Sequence, residues 1–405
     1  SIMAKIHNIC YILNSFPQPS ETFISDEAVS MLDLGCTPYI LYLHEGVHIL
    51  VHPSARKIID SNLSQRVSSK SKIQYLICVF HLFLMHPSNT FSVFLKALRA
   101  SDRWRYVQAV PYVLNILEKN VHFIHAHFAD QNFKWAKVLS EWTCIPFGVT
   151  THRYDLLNDP IPVDEASQLF LDADLIVTIS EYNKALMIEK YSIPSEKIRI
   201  IHCGIDTDRF KPDQSLEKFN DSKLKILNIG RLVPQKGQDI MLQALAEAKS
   251  RGVQFELKII GAGPLQDYLS GLTRSLGIAD QVCFLGAQSQ DTVIELYMES
   301  DIFILPSRSE GLPVVCMEAM AMEVFLIATR IFGVPELVFD KENGLLVEPE
   351  DVQELAAAVC WVDQNREALK EMTKAAREKV ENDFSREKST KMLLSEMNDT
   401  CCNMS

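Results

Sequence analysis

Glu310 and Glu318 stand with seven residues between them, Gly311, Leu312 and Pro313 among these. The apolar run Ile302 to Leu305 ahead of them predicts a short buried strand. Val314 to Met322 behind them predicts a mostly buried helix, with Pro313 as its first residue, because a missing N–H costs nothing there. Gly311 lets the chain turn sharply and lets a ligand approach without a Cβ in the way. A helix N-terminus presents unpaired N–H groups, so a phosphate near Gly311 and Leu312 would be favoured. The two carboxylates would repel that phosphate and suit hydroxyls instead, as on a sugar ring and a ribose.

A second cluster opens the second half of the chain: Gly230-Arg231-Leu232-Val233-Pro234-Gln235-Lys236-Gly237, after the strand-like run Leu224 to Ile229. Arg231 offers a planar fork and Lys236 a mobile point charge, a combination that fits a diphosphate. Gly261-Ala262-Gly263-Pro264 follows the run Phe255 to Ile260, but the third glycine of a nicotinamide fingerprint is replaced by Gln266. Gly286 follows the run Val282 to Leu285, ahead of a helical segment from Asp291 to Ser300. In the first half, His127 closes the run from Val121, while His152 and Asp155 follow the run Ile145 to Thr151. Ser20-Glu21-Thr22 lies between the first strand, Lys5 to Leu13, and a helix to about Leu32, with Ser20 as its expected N-cap. Loops at the carboxyl ends of parallel strands are where such folds bind ligands.

These stretches, taken in order, resemble the family-four glycosyltransferases, retaining enzymes of the GT-B fold that use nucleotide-sugar donors. Glu310 and Glu318 match the family's E-x7-E pattern, Arg231 and Lys236 its diphosphate-binding pair, and Gly261 to Pro264 its Gly-x-Gly-Pro. The wording Phe16-Pro17 followed by Ser20-Glu21-Thr22-Phe23 is similar to a subgroup linked to bacterial exopolysaccharide of the colanic-acid type. The resemblance implies catalytic roles for His152, Arg231, Lys236 and Glu310. It implies donor contacts from Gly230, Arg231, Lys236, Gly261, Gly286, Glu310, Gly311, Leu312 and Glu318, and acceptor-side places for Ser20, Glu21, Thr22, His127 and Asp155. Arg153-Tyr154 departs from the smaller residues usual after this histidine. In such enzymes the acceptor attacks the face from which the diphosphate leaves, and the phosphate takes its proton. No side chain here is placed as a nucleophile. No metal or other cofactor is implied, and a UDP-sugar is expected ahead of a GDP-sugar.

Ordinary globular composition, with 47% hydrophobic and 23% charged residues over 405, is enough for two full cores. A net charge of −12 excludes a general nucleic-acid binder. Ten scattered cysteines point to a reducing compartment. The segment Lys5 to Leu13 is too short and polar for a signal peptide. A cytoplasmic protein is expected, peripheral at the inner face of the membrane if residues 56–105 bind it. That stretch carries nine basic and two acidic residues beside the apolar segments Ile73 to Met85 and Phe91 to Leu98. It reads either as an anionic-membrane surface or as two core helices with solvated cations.

Two metal readings are weaker. His44, His48 and His52 share a four-residue spacing, but Gly46, Val47 and Ile49 favour strand and loop. Asp172 to Asp174 and Asp206 to Asp208 spell D-x-D, but the first opens a strand and the second lies where the resembled family changes domain.

Strands alternate with helices throughout, so parallel sheets are expected. The expected fold is α/β, GT-B, with two Rossmann-like domains facing across a cleft and a C-terminal helix crossing back. The boundaries are residues 1–205 for the acceptor-side domain, 206–223 for a linker, 224–385 for the nucleotide-sugar domain and 386–405 for the last helix and tail, within a helical segment from Asn365 to Met397. The expected activity is transfer of a hexosyl group from a nucleoside-diphosphate sugar to a glycan, glycolipid or small molecule in surface polysaccharide synthesis. Alternatives are a nucleotide-sugar epimerase on the same architecture and a non-catalytic scaffold subunit.

Overall fold

Short, almost wholly apolar runs become strands buried on both faces, as parallel sheets covered by helices require. A computed structural model describes residues 6–18, 21–47, 51–68 and 70–404, so Ser20 and His48 lie outside the described residues. The chain divides into two units, residues 1–202 with 386–405, and residues 203–385.

In the first unit β1 (Asn8–Phe16), β2 (Thr37–Glu45), β3 (Ser64–Arg66), β4 (Phe123–His127), β5 (Phe147–Thr151), β6 (Leu175–Thr178) and β7 (Ile198–Ile200) pair in the order β3-β2-β1-β4-β5-β6-β7. All neighbours are parallel. The period-two alternation of β1 sends Cys10 and Ile12 into one apolar cluster and Ile9, Tyr11 and Leu13 into another, one on each face.

In the second unit β8 (Leu224–Ile229), β9 (Phe255–Ile260), β10 (Val282–Gly286), β11 (Ile302–Leu305), β12 (Phe325–Thr329) and β13 (Leu345–Val347) form a parallel sheet in the order β10-β9-β8-β11-β12-β13. Both orders reverse direction once, between β1 and β4 and between β8 and β11. Open α/β sheets bind ligands outside the carboxyl ends of strands at such a reversal.

Two segments differ in detail from expectation: part of the linker expected over residues 206–223, and the final helical segment. Residues 213–223, polar enough to suggest a linker, pack onto the second unit. Phe219 is buried in its core, with its N–H 2.7 Å from Asp301 Oδ1, and Lys218 Nζ donates to the carbonyls of Tyr297 and Ser300 at 2.8 Å. The final helical segment is two helices, Arg366–Asp383 and Arg386–Met404. They break where the Ile205 N–H reaches the Phe384 carbonyl at 2.9 Å and Ser385 bridges Ile205. The second of them belongs to the first unit, where Arg386 pairs with Asp26 at 2.8 Å and Met397 is buried. Among the described residues no helix is long and apolar enough to cross a membrane.

Close backbone approach holds the ends of β8 and β9 together. At Gly261 (φ +137°) a Cβ would fall 1.9 Å from the Gly230 carbonyl oxygen, whereas at Gly252 (φ +98°) nothing lies within 4 Å. Gly252→Ala is expected to cost about 1 kcal/mol, the strain of a left-handed backbone alone. Gly261→Ala adds a clash and is expected to cost roughly 3 kcal/mol or more. Denaturant unfolding of the two variants measures the difference, and equal losses would mean that close approach contributes nothing at Gly261.

Candidate active site

Because β8 and β11 are neighbours, the loops that follow them leave the second sheet side by side. Gly237, left-handed at φ +64°, makes the closest approach: a Cβ there would stand 2.1 Å from the Pro306 carbonyl oxygen. Arg308 ties the loops together, donating to both Asp239 oxygens at 3.0 and 2.9 Å and to the Pro234 carbonyl at 2.6 Å, and pairing with Glu350. Its backbone N–H also reaches the Gln235 carbonyl at 2.8 Å. These contacts bring Lys236 Nζ to 2.6 Å from Glu310 Oε1, which also accepts from Ser307 Oγ at 2.7 Å. The pair is mostly shielded, the Glu310 side chain being 10% exposed. Arg231, on the same loop, is exposed and has no side-chain partner among the described residues.

Beyond Glu310, Pro313 precedes the helix Val314–Ala321 by one residue rather than opening it, its ψ of 115° being extended. Of the glycines expected at the site, Gly237, Gly261 and Gly286 have left-handed backbone and Gly311 does not. Leu312 is buried. Glu318, in the second turn of the helix, lies 3.0 Å from the hydroxyl of buried Tyr297, which also reaches the Val315 carbonyl at 3.1 Å. Burial, then the charge of Glu318, pushes the Tyr297 phenol up, so it remains a donor. Gly286 ends β10 on the sheet edge, two strands from the reversal, and its carbonyl accepts from Gly261 N–H at 2.9 Å.

In the first unit a buried polar chain crosses the end of β4. Tyr11 OH donates to Glu27 Oε1 at 2.7 Å, and His127 Nε2 lies 3.1 Å from the same oxygen. His127 Nδ1 is 3.1 Å from His152 Nε2. Burial, then His127, pushes His152 well below the ordinary imidazole range, so His152 is neutral. Burial raises Glu27, but His127, Tyr11 and His152 outweigh it and hold the carboxyl below its usual value. With a carboxylate on one side, His127 donates through Nε2 and offers Nδ1 to the N–H on His152 Nε2. The His152 ring packs between Phe23 and Phe128, with centroids 4.8 and 4.6 Å away.

Two residues expected on the acceptor side are enclosed. His127 is 1% exposed beneath His152, because its ring is engaged by Glu27. Asp155 is fully buried, its two oxygens accepting the N–H groups of His152 at 2.8 Å and Ala129 at 2.7 Å, so it joins the ends of β4 and β5. Burial raises its carboxyl to about 7 against those donors. Glu21 stands before the helix Thr22–Asp33 without capping it through its side chain, and both Glu21 and Thr22 are half-buried.

Sequence reasoning missed Glu27, Tyr11, Ser307, Tyr297 and Arg308; Ser307 stands three residues before its partner Glu310 in the same turn, and the others touch partners at no recognisable spacing. Glu27 alone gave a signal, as a charge one helical turn from Phe23 on a helix with a buried face. His44 lies on β2, and His52 precedes the helix Pro53–Asp60, accepting from Ser54 N–H at 3.3 Å. Among the described residues no histidine, cysteine and carboxylate cluster could hold a metal ion.

Residues 210–379 match the family described as glycosyl transferases group 1, and residues 86–209 match glycosyltransferase family 4. The chain is 30% identical to a putative colanic acid biosynthesis glycosyltransferase of Escherichia coli K12, over 93% of this chain and 96% of the relative. Its fold is similar to a glycosyltransferase of Rickettsia africae (TM-score 0.76, 21% identity, 99% of this chain and 100% of the other). It is also similar to Anabaena HepE in complex with UDP (TM-score 0.73, 18% identity, 95% and 98%). With the two Rossmann-like sheets of the GT-B fold and a relative aligned over nearly its full length, the chain belongs to glycosyltransferase family 4.

Proposed function

We propose that this glycosyltransferase moves a hexosyl group, with retention at the anomeric carbon, from a nucleoside-diphosphate sugar to a glycan or lipid-linked acceptor in surface polysaccharide assembly. The observation that carries this reading is the Lys236–Glu310 pair at the β8–β11 reversal, with exposed Arg231 on the same loop. Lys236 has three N–H donors and gives one to Glu310, so two can meet phosphate oxygens. As the bond from the anomeric carbon to the phosphate oxygen breaks, charge builds on the diphosphate, and Arg231 and Lys236 stabilise it. The acceptor oxygen bonds to the same face of that carbon and its proton passes to the departing phosphate. Glu310 orients the sugar through its hydroxyls and Glu318 holds the ribose diol, while neutral His152 is the first unit's candidate group for the reaction. Uridine diphosphate is favoured as the leaving group, a reading supported by the likeness to HepE, which was solved with UDP. An epimerase would convert donor with no acceptor present, and family membership gives it no support.

Removing one preorganised donor to a developing charge costs about a hundredfold to a thousandfold in kcat. Lys236→Ala is expected to fall in that range in a glycosyl-transfer assay, and Arg231→Ala to lose the rise in melting temperature that UDP gives the wild type. Unchanged turnover in the first variant would remove Lys236 from the chemistry.

Glu27 and His127 are positioning residues, because they reach the reaction only through His152. Glu27→Gln removes the fixed acceptor, so nitrogen NMR of labelled histidine should show mixed tautomers of His127. A kcat loss of about tenfold to a hundredfold should accompany it, as for other groups that orient a working histidine. Unchanged tautomers with unchanged kcat would overturn the assignment.

A further inference from the structure

Two consecutive helices of the first unit, Lys72–Met85 and Pro87–Arg99, pack against each other but leave unusually apolar faces uncovered. The first is apolar nearly all round, its only polar side chains being Lys72, Gln74, Tyr75 and His81. Leu82 is buried, with Cys78 and Val79 packed on the core, which accounts for one stripe. A second stripe at helical spacing points outward: Ile73, Ile77, Phe80 and Leu84, with Ile73 at 70% and Phe80 at 67% exposure. On the next helix Val93 is buried, while Phe91, Phe94, Leu95 and Leu98 repeat the outward stripe. A helix that is apolar all round belongs inside a protein or against lipid, and an uncovered apolar area of this kind marks an interaction surface.

Charge decides what covers it. Between residues 70 and 105 the chain carries Lys70, Lys72, Lys96, Arg99, Arg103 and Arg105 against one carboxylate, Asp102, within a protein of net charge −12. Lys96 and Arg105 lie within ion-pair distance of Glu141 and Asp102. Lys72, Arg99 and Arg103 are exposed and make no ion pair among the described residues. Two-fold pairing of this face with a second copy would bring those cations toward their own counterparts, a like-charge cost. An anionic bilayer offers both what the stripes lack and what the cations lack.

We propose that the outer faces of these two helices dock the enzyme on an anionic lipid surface, the apolar stripes entering the headgroup boundary and Lys72, Arg99 and Arg103 meeting lipid phosphates. The docking does not depend on the glycosyl-transfer reading, since its test reads lipid binding without turnover. The full chain is floated with vesicles of phosphatidylcholine alone or mixed with phosphatidylglycerol. Wild type should float with the anionic vesicles at low salt, fall away as salt screens the charges, and stay at the bottom with phosphatidylcholine. Reversing the three cations (K72E, R99E and R103E) should lower partitioning by about a hundredfold or more. The pair F80S and L84S should abolish flotation while retaining the wild-type circular-dichroism melt. The proposal is overturned if wild type stays at the bottom with anionic vesicles at low salt. It is equally overturned if the variants float as well as wild type, or if sedimentation shows a dimer that F80S and L84S dissociate.

Discussion

Two loops that leave neighbouring strands can present a cation and a carboxylate to one ligand only if their backbones nearly touch, and here that approach is made at Gly237 against the Pro306 carbonyl. A side chain at Gly237 would meet that oxygen at 2.1 Å, so the loops would part and Lys236 would leave Glu310. Arg308 secures the same approach from outside with a bidentate bond to Asp239, the geometry in which a guanidinium gains most. Buried ion pairs return little net stability. The Lys236–Glu310 pair therefore makes better sense as a preset arrangement of charge than as a stabilising contact.

The first unit solves a different problem with similar means. The His152 ring, enclosed by Phe23 and Phe128, is neutral and accepts the Asp155 backbone N–H in a capping box. The Tyr11–Glu27–His127 chain holds its other nitrogen, with a carboxylate at the far end where two donors offset its burial. Asp155 acts on the backbone instead, tying the end of β4 to the end of β5 through Ala129 and His152. Both arrangements lie at carboxyl ends of strands, and the first unit reverses its strand order between β1 and β4, so one topological rule accounts for where both polar clusters stand.

Local pattern determined a good deal by itself. Apolar runs such as Ile302 to Leu305 and Phe255 to Ile260 fold as the strands they spell, because a buried parallel strand needs little beyond continuous hydrophobicity. Arg231, Lys236, Glu310 and Glu318 were legible because each stands in a short motif whose turn and helix start are encoded by neighbouring residues. What tertiary structure alone decided is which distant groups meet. Glu27 and His127 are 100 residues apart, and Arg308 and Asp239 are 69 apart, and no spacing announces either contact. Tertiary structure also decided that His127 and Asp155 face inward, and that the apolar helix Lys72–Met85 has a second face left uncovered among the described residues. Sequence period reports that a helix has an apolar face, while burial depends on whether another element arrives to cover it, and that is fixed only when the whole chain has packed.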